Sequence, residues 1–161
     1  MTQIEGVKCE HQQGVNLCWA ATSLCVMDYY RKYNLFPASQ QELKVKFTGG
    51  KDAKFDVIHV LEAYNISNGT DDKHPRIGNI LESIRMNEPM ILQIGPKDNM
   101  HFVVLIGYKK VVDKMYIILD PLDEPPVAKE LTLSELGIIQ GLQYTKAPRK
   151  PRGCKCSCTI L

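Results

Sequence analysis

The sequence predicts an α+β fold, with helices in the first half of the chain and an antiparallel sheet in the second. Two observations favour it. Apolar residues recur at helical spacing in the first half, whereas the second half holds short apolar runs rich in Ile, Val and Tyr that are separated by Gly, Pro, Asn and Asp. Helices followed by strands are typical of two layers around one core. With 161 residues and 44% hydrophobic content, one compact domain is expected.

Three helices are predicted. The first spans 18–33, follows Asn16 and places Cys18 in its first turn. The second spans 54–64, and the third follows Pro75. Each has apolar residues at helical spacing: Trp19, Ala20, Leu24, Met27 and Tyr30 in the first, Phe55, Ile58 and Leu61 in the second, and Ile77, Ile80, Leu81 and Ile84 in the third.

Three strands are predicted in the second half. They are the segments "MILQIG", "HFVVLIGY" and "KMYIILDPL", whose branched and aromatic residues favour a sheet. The later segment "LTLSELGII" indicates a short strand and then a helical turn capped by Ser134.

The end of the chain differs from the rest in charge. Residues 146–161 contain five basic residues and no acidic ones, which leaves 15 basic against 18 acidic residues in 1–145. Pro148, Pro151 and Gly153 prevent a regular helix there. We therefore predict a folded domain over 1–145 and a flexible, basic, cysteine-rich tail over 146–161.

The cysteines and the amino terminus bear on the cellular compartment. The first residues lack the apolar segment of a secretory signal, and the longest apolar runs are too short to cross a bilayer. Three of the six cysteines fall within the last eight residues rather than spreading as a disulfide framework would. These features predict a cytosolic domain with reduced cysteines.

Cys18 is the candidate nucleophile. A thiol attacks as its thiolate, and a free cysteine has a pKa of about 8.5, so an activating environment is needed. The first turn of a helix favours the anion through the positive end of the helix dipole. Buried cysteines are nevertheless common in helices, and Cys25 in the same predicted helix is interpreted as such a residue.

Partners for Cys18 occur later in the sequence. His101 opens a predicted strand and could act as general base towards the thiol and then protonate the leaving group. Asp120 ends the next strand, before Pro121, and could fix the tautomer of the imidazole. Gln12 lies six residues before Cys18, so that its amide and the backbone N–H of Cys18 could form an oxyanion hole.

This pattern resembles that of the papain-like cysteine peptidases: a Gln, a Cys-Trp pair six residues later at a helix start, a distant His that opens a strand, and then an acidic or amide residue. The segments "HFVVLIGY" and "LDPL" are most similar to the compact bacterial peptidases that cleave double-glycine leaders and to related effector proteases. The resemblance covers residues 10 to 145 and implies a papain-like fold, with the nucleophile on an N-terminal helix, and thiol catalysis. Leu17 stands where leader peptidases usually have Asp, so the resemblance implies no Gly-Gly specificity.

Other residues could fill the same roles. Gln13 is an alternative oxyanion donor, but the six-residue interval of the family selects Gln12. We expect His11 to be exposed and His59 to belong to the second helix without a chemical role. If Asp120 does not orient the imidazole, the remaining candidates are Asn99 and Asp113.

The last four residues fit the C-a-a-X prenylation signal, with Cys158 as the modified cysteine and a terminal Leu that usually selects a geranylgeranyl group. Cys154 and Cys156 are palmitoylation candidates, and the basic residues upstream could attract anionic lipids. The alternatives are an unmodified disordered tail or a C-x-C-x-C metal site, although zinc normally takes four ligands and C-x₂-C spacing.

The sequence therefore predicts a papain-like cysteine peptidase that is lipid-anchored to the cytosolic face of a eukaryotic membrane, where it cleaves a protein. Because prenyltransferases are eukaryotic, a compact bacterial-type core with this tail suggests a microbial effector that reaches the host cytosol. The expected partners are a protein or peptide substrate, the membrane and a host prenyltransferase, with no nucleic acid, metal or cofactor. The alternatives are a papain-fold acyltransferase or deamidase, or a silent membrane-tethered binding module.

Overall fold

The computed structural model describes most of the chain between Thr2 and Lys146, and the structural statements below concern those residues. Apart from Lys146, the predicted tail lies outside them. The described residues are 2–31, 35–66, 70–71, 77–95, 99, 101–110, 114–132, 134–136 and 144–146.

Four helices lie within the described residues, and three of them confirm the predicted ones. The first and second predicted helices are shorter than expected, because α1 ends at Tyr29 and α3 begins at Val57, after Phe55. The bounds are α1 Cys18–Tyr29, α2 Gln40–Thr48, α3 Val57–Ala63 and α4 Ile77–Arg85.

Helix α2 was not predicted, although its ends carry recognisable signals. The side chain of Ser39 accepts a hydrogen bond from the backbone N–H of Glu42, as an N-cap residue does. Gly49 ends the helix in the left-handed conformation, with φ of 61°, which glycine adopts without strain. Only Gln40 and Leu43 of the helix are buried, so its apolar periodicity is weak.

The described strands form one antiparallel sheet, and three of them confirm the predicted strands. Their order is β2-β7-β3-β4-β5-β6, and β1 pairs with the second half of β4. The bounds are β1 Thr2–Gln3, β2 Thr70–Asp71, β3 Met90–Ile94, β4 His101–Lys110, β5 Lys114–Leu119, β6 Ala128–Thr132 and β7 Tyr144–Lys146.

Gly107 allows β1 and β5 to approach β4 closely. A Cβ atom at this position would lie 2.9 Å from the carbonyl oxygen of Thr2 and 2.9 Å from Cδ1 of Ile117. The pairing of β4 with β5 also shifts register between Leu105 and Gly107. Such an irregularity bends a sheet and increases its twist.

Apolar residues cover both faces of the sheet. Helix α1 packs on one face, where Val104 and Ile106 of β4 are buried, and α2 and α3 pack against α1. Helix α4 packs on the other, against Val103 and Leu105. Because β4 is covered on both faces, "FVVLI" is continuously apolar rather than alternating.

Two further predictions are corrected by the structure. The turn after β6 is capped by Thr132, whose hydroxyl accepts from the N–H of Glu135 while the carboxylate of Glu135 accepts from the N–H of Thr132; Ser134 is not the cap. Cys9 and Cys25 form a disulfide, so the prediction of reduced cysteines does not hold for this pair. Cys25 is buried, as expected.

Candidate active site

Cys18 is the first residue of α1, directly after the N-cap residue Leu17. It is buried, with 8% of its surface exposed, and is the one cysteine among the described residues that is outside a disulfide. The first N–H groups of a helix lack intrahelical partners and favour negative charge near them. The sulfur therefore lies at the amino-terminal end of the helix, as the sequence predicted.

His101 and Asp120 meet at one end of the sheet. Strand β4 begins at His101, and the antiparallel strand β5 ends one residue before Asp120. Nε2 of His101 is 2.7 Å from Oδ1 of Asp120, and both side chains are largely buried, with 18% and 15% exposed. Oδ1 also accepts a hydrogen bond from the backbone N–H of Leu122 at 3.0 Å.

Cys18 lies close enough to the imidazole of His101 to raise the pKa of this histidine. Since Nε2 faces Asp120, Nδ1 is the nitrogen that remains for the sulfur. Helix α1 packs against β4, the strand that begins at His101. The three predicted residues thus lie together, with the imidazole bonded to the carboxylate and its other nitrogen left for the thiol.

The electrostatics of this arrangement favour the imidazolium. Burial alone would lower the pKa of His101, but hydrogen bonds to Asp120 and Cys18 and the charges of both groups outweigh it and raise the pKa from 6.5 to about 9. Burial alone would raise the pKa of Asp120, yet the hydrogen bonds from His101 and Leu122 and the positive charges of His101 and Lys129 lower it.

Gln12 is buried beside this group, but its amide is engaged within its own loop. Nε2 donates to the carbonyl oxygens of Gly14 at 2.7 Å and Val15 at 3.2 Å. Its Oε1 is buried and has no hydrogen-bond partner among the described residues. To donate to an oxyanion, Nε2 would have to release one of these carbonyls, and that with Val15 is the longer bond. The role of Gln12 therefore stays a prediction.

Comparison with known proteins identifies the family of this chain. The sequence profile of the Peptidase_C39 like family matches residues 4–136, which is most of the chain. The chain belongs to this family. It is a cysteine peptidase of C39 type.

A solved structure supports the C39-type fold. The peptidase domain of Streptococcus ComA, a bifunctional ABC transporter involved in a quorum sensing pathway, superposes with a TM-score of 0.63. It is 14% identical, over 89% of this chain and 99% of that domain, so the likeness concerns the fold. No match was found among curated proteins.

In this C39-type peptidase, the segment before Cys18 is held by residues that the sequence analysis did not identify. The buried Gln40 of α2 accepts a hydrogen bond from the N–H of Gln13 at 3.0 Å and donates to the carbonyl of His11 at 2.9 Å. Between them, the backbone N–H of Gln12 donates to the carbonyl of Pro121 at 2.9 Å. The backbone on both sides of Gln12 is therefore fixed.

Asp52 holds the next part of the same segment. Its carboxylate accepts hydrogen bonds from the N–H groups of Val15 at 3.1 Å and Asn16 at 3.0 Å. The neighbouring carbonyl of Ala53 accepts from Nε1 of Trp19 at 2.9 Å. Trp19 is fully buried, so residues 52–53 anchor both the loop before Cys18 and the first turn of α1.

The other candidates are placed as follows. His11 is partly buried rather than exposed, and its Nδ1 lies 3.1 Å from the carbonyl oxygen of Asp123. His59 lies on α3, mostly exposed, 3.5 Å from a carboxylate oxygen of Glu62. Asn99 is exposed. The candidates outside the described residues are Asp113, Cys154, Cys156 and Cys158.

Two further searches concern only the described part of the chain. There, no group of three or more His, Cys, Asp or Glu side chains is arranged to hold a metal ion. No helix in the same residues has the length and apolar character needed to span a bilayer.

Proposed function

We propose that this C39-type peptidase cleaves its substrate with Cys18 as nucleophile, His101 as general acid and base, and Asp120 as the group that orients the imidazole. The observation that carries the proposal is the 2.7 Å contact between Nε2 of His101 and Oδ1 of Asp120, beside Cys18 at the start of α1. The raised pKa of His101, about 9, supports an imidazolium beside the thiol at neutral pH.

The chemistry proceeds in two stages. The thiolate of Cys18 attacks the scissile carbonyl carbon, and collapse of the tetrahedral intermediate breaks the C–N bond while His101 donates its proton to the departing amine. His101, now neutral, takes a proton from water, and the hydroxide attacks the thioester to release the acid and the thiolate. Asp120 stabilises the imidazolium at both stages.

The oxyanion of each intermediate needs donors. We assign the backbone N–H of Cys18, at the start of α1, and the side chain of Gln12 to this role. The fixed backbone around Gln12 supports the assignment, because hydrogen bonds to Gln40 and Pro121 hold it beside the site. When substrate binds, Nε2 would exchange its bond with Val15 for one with the oxyanion.

We further propose that the peptidase is prenylated at Cys158 and held at the cytosolic face of a eukaryotic membrane, with Cys154 and Cys156 as sites for a second lipid. The support is the C-terminal C-a-a-X sequence and the five basic residues between Lys146 and the end of the chain. One lipid holds only marginally, so the basic residues or palmitate would complete the anchor. A microbial effector acting in a host cell fits a compact bacterial-type core that carries this signal.

Exposure of a complex peptide mixture to the protein tests the catalytic proposal. The wild type should generate new peptide termini, detected by mass spectrometry, and the Cys18→Ala variant should not. The Cys9→Ala/Cys25→Ala variant controls for loss of the other described cysteines, because it removes both partners of the disulfide without touching Cys18, and it should retain cleavage. Mass changes without chain cleavage would indicate a deamidase or acyltransferase instead, and cleavage by Cys18→Ala would contradict the assignment of the nucleophile.

Expression in a eukaryotic cell with a labelled isoprenoid tests the membrane proposal. The wild type should incorporate the label and sediment with membranes, and Cys158→Ser should do neither. Cys154→Ser should keep the prenyl label, because it leaves the C-a-a-X sequence intact. A Cys158→Ser protein that remained membrane-bound would refute the prenyl anchor.

A further inference from the structure

Lys129 lies in β6 beside the carboxylate that binds His101. Its Nζ is 3.5 Å from Oδ2 of Asp120. The other oxygen, Oδ1, binds His101 and accepts from the backbone N–H of Leu122. The two oxygens of Asp120 therefore have different partners, one turned to the imidazole and the other to an ammonium group.

Asp123 fixes the position of this ammonium group. Nζ of Lys129 is 2.7 Å from Oδ2 and 2.8 Å from Oδ1 of Asp123. Since only 33% of the Lys129 side chain is exposed and two carboxylates share its charge, it differs from an isolated surface lysine, whose ion pair contributes little. Lys129 is also held by the sheet, where its residue pairs with Ile118 of β5.

We propose that Lys129 is a positioning residue of the active site, which acts on His101 through Asp120. It holds Oδ2 on the side away from the imidazole and offsets part of the negative charge that the carboxylate presents to His101. This inference rests on the proposed triad, because it assigns no role to Lys129 unless His101 transfers protons.

The consequence concerns the second stage of catalysis. His101 must lose its proton to act as base towards water, and a carboxylate with no neighbouring cation would hold that proton more tightly. Lys129 would therefore increase the fraction of neutral imidazole at a given pH. The titratable or charged groups around this proton are Cys18 from α1, His11 and Asp123 from the adjoining loops, Asp120 after β5 and Lys129 from β6.

NMR titration of His101 tests the inference without a substrate. The chain has four histidines, and the Cε1–H signal of His101 is the one missing in the His101→Ala variant. Lys129→Met should raise the midpoint of this signal by roughly half a pH unit above that of the wild type. Lys129→Arg should leave it near the wild-type value. For cleavage of a peptide substrate at pH 8, the kcat of Lys129→Met should be about threefold below that of the wild type. Its kcat/KM should change little, because only the base-dependent second stage is slowed.

Lys109→Met is the matched control. Lys109 is a similarly exposed lysine in an ion pair with Glu130, 3.0 Å away, so the variant removes the same charge from the sheet without changing the contacts of Asp120. Its His101 midpoint should stay at the wild-type value. Lys129→Gln offers a second variant should Lys129→Met not fold, and it should raise the midpoint in the same way because it removes the same positive charge beside Asp120.

The outcomes separate this inference from the proposed function. A His101 midpoint that is unchanged or lowered in Lys129→Met, or a rise of the same size in Lys109→Met, would overturn the role of Lys129. The triad would still stand if Cys18→Ala abolished cleavage. Cleavage retained in Cys18→Ala would remove the triad and the role of Lys129 with it.

Discussion

Replacement of Asp120 by Asn is the most direct test of the electrostatics of the site. The substitution keeps the shape of the side chain but removes the charge that faces His101. Burial would lower the pKa of His101, but the hydrogen bond that His101 donates to Asp120 is the largest effect in the other direction, and the pKa is raised to about 9. Without the carboxylate, we expect the pKa of His101 to fall by about two units.

The size of the kinetic effect follows from the protonated fraction. At pH 8, an imidazole with a pKa of about 9 is roughly nine-tenths protonated, and one with a pKa of about 7 is roughly one-tenth protonated. Protonation of the leaving amine requires the imidazolium, so kcat/KM at pH 8 should fall about tenfold from this cause. Loss of the fixed tautomer would lower the rate further.

Two measurements check the prediction. The NMR midpoint of His101 and the alkaline limb of kcat/KM should both move to lower pH in Asp120→Asn, and by similar amounts. Asp56→Asn is a control for loss of a carboxylate elsewhere, since Asp56 caps α3. A His101 midpoint near 6.5 in the wild type, or one that Asp120→Asn leaves unchanged, would refute the reasoning.

Three other predictions concern the same residues. Cys18→Ala should lower turnover by on the order of 10⁴ or more and leave the circular dichroism spectrum unchanged; near-normal peptide cleavage would exclude the thiol mechanism. Gln12→Ala should lower kcat by about 10² with a smaller effect on KM, as loss of one oxyanion donor does, and an unchanged kcat would leave Gln12 a structural role only. Since the pKa of His101 is raised from 6.5 to about 9 on folding, its contribution of about 3 kcal/mol is complete below pH 6.5 and is lost as pH rises to 9. Between pH 6.5 and 9, the melting temperature of the wild type should fall relative to that of His101→Ala. If the melting temperatures of the two proteins changed in parallel with pH, the contribution of His101 would be contradicted.

The order of the main helices and strands along the chain was predictable, because each is indicated by the spacing and type of apolar residues within its own segment. Apolar spacing located α1, α3 and α4, and the short branched segments located β3, β4 and β5. What escaped prediction is either very short or weakly apolar. Strands β1, β2 and β7 contain two or three residues each, and α2 buries only Gln40 and Leu43. Their places are determined by pairing with distant strands and by packing against α1.

The pairing of Cys9 with Cys25 escaped prediction for a similar reason. Three of the six cysteines cluster near the end of the chain, so the cysteines are not spaced as in a disulfide framework. The separation of 16 residues between Cys9 and Cys25 does not by itself indicate that they are close in space. The bond joins α1 to the segment that leads to Gln12. It therefore constrains the same two pieces of chain that meet at Cys18.

The residues of the candidate site likewise fall into those that the sequence predicted and those that it did not. Cys18, His101 and Asp120 stand at the ends of regular elements, so a resemblance in residue order sufficed to select them. Gln40 and Lys129 occupy positions in a helix and a strand whose side chains could equally face solvent, and no motif marks them. Their importance depends on contacts between segments that are far apart in sequence: Gln40 with the backbone on either side of Gln12, and Lys129 with the far oxygen of Asp120. Residue order can therefore nominate candidate reactive groups, whereas the residues that contact them are found only in the three-dimensional arrangement.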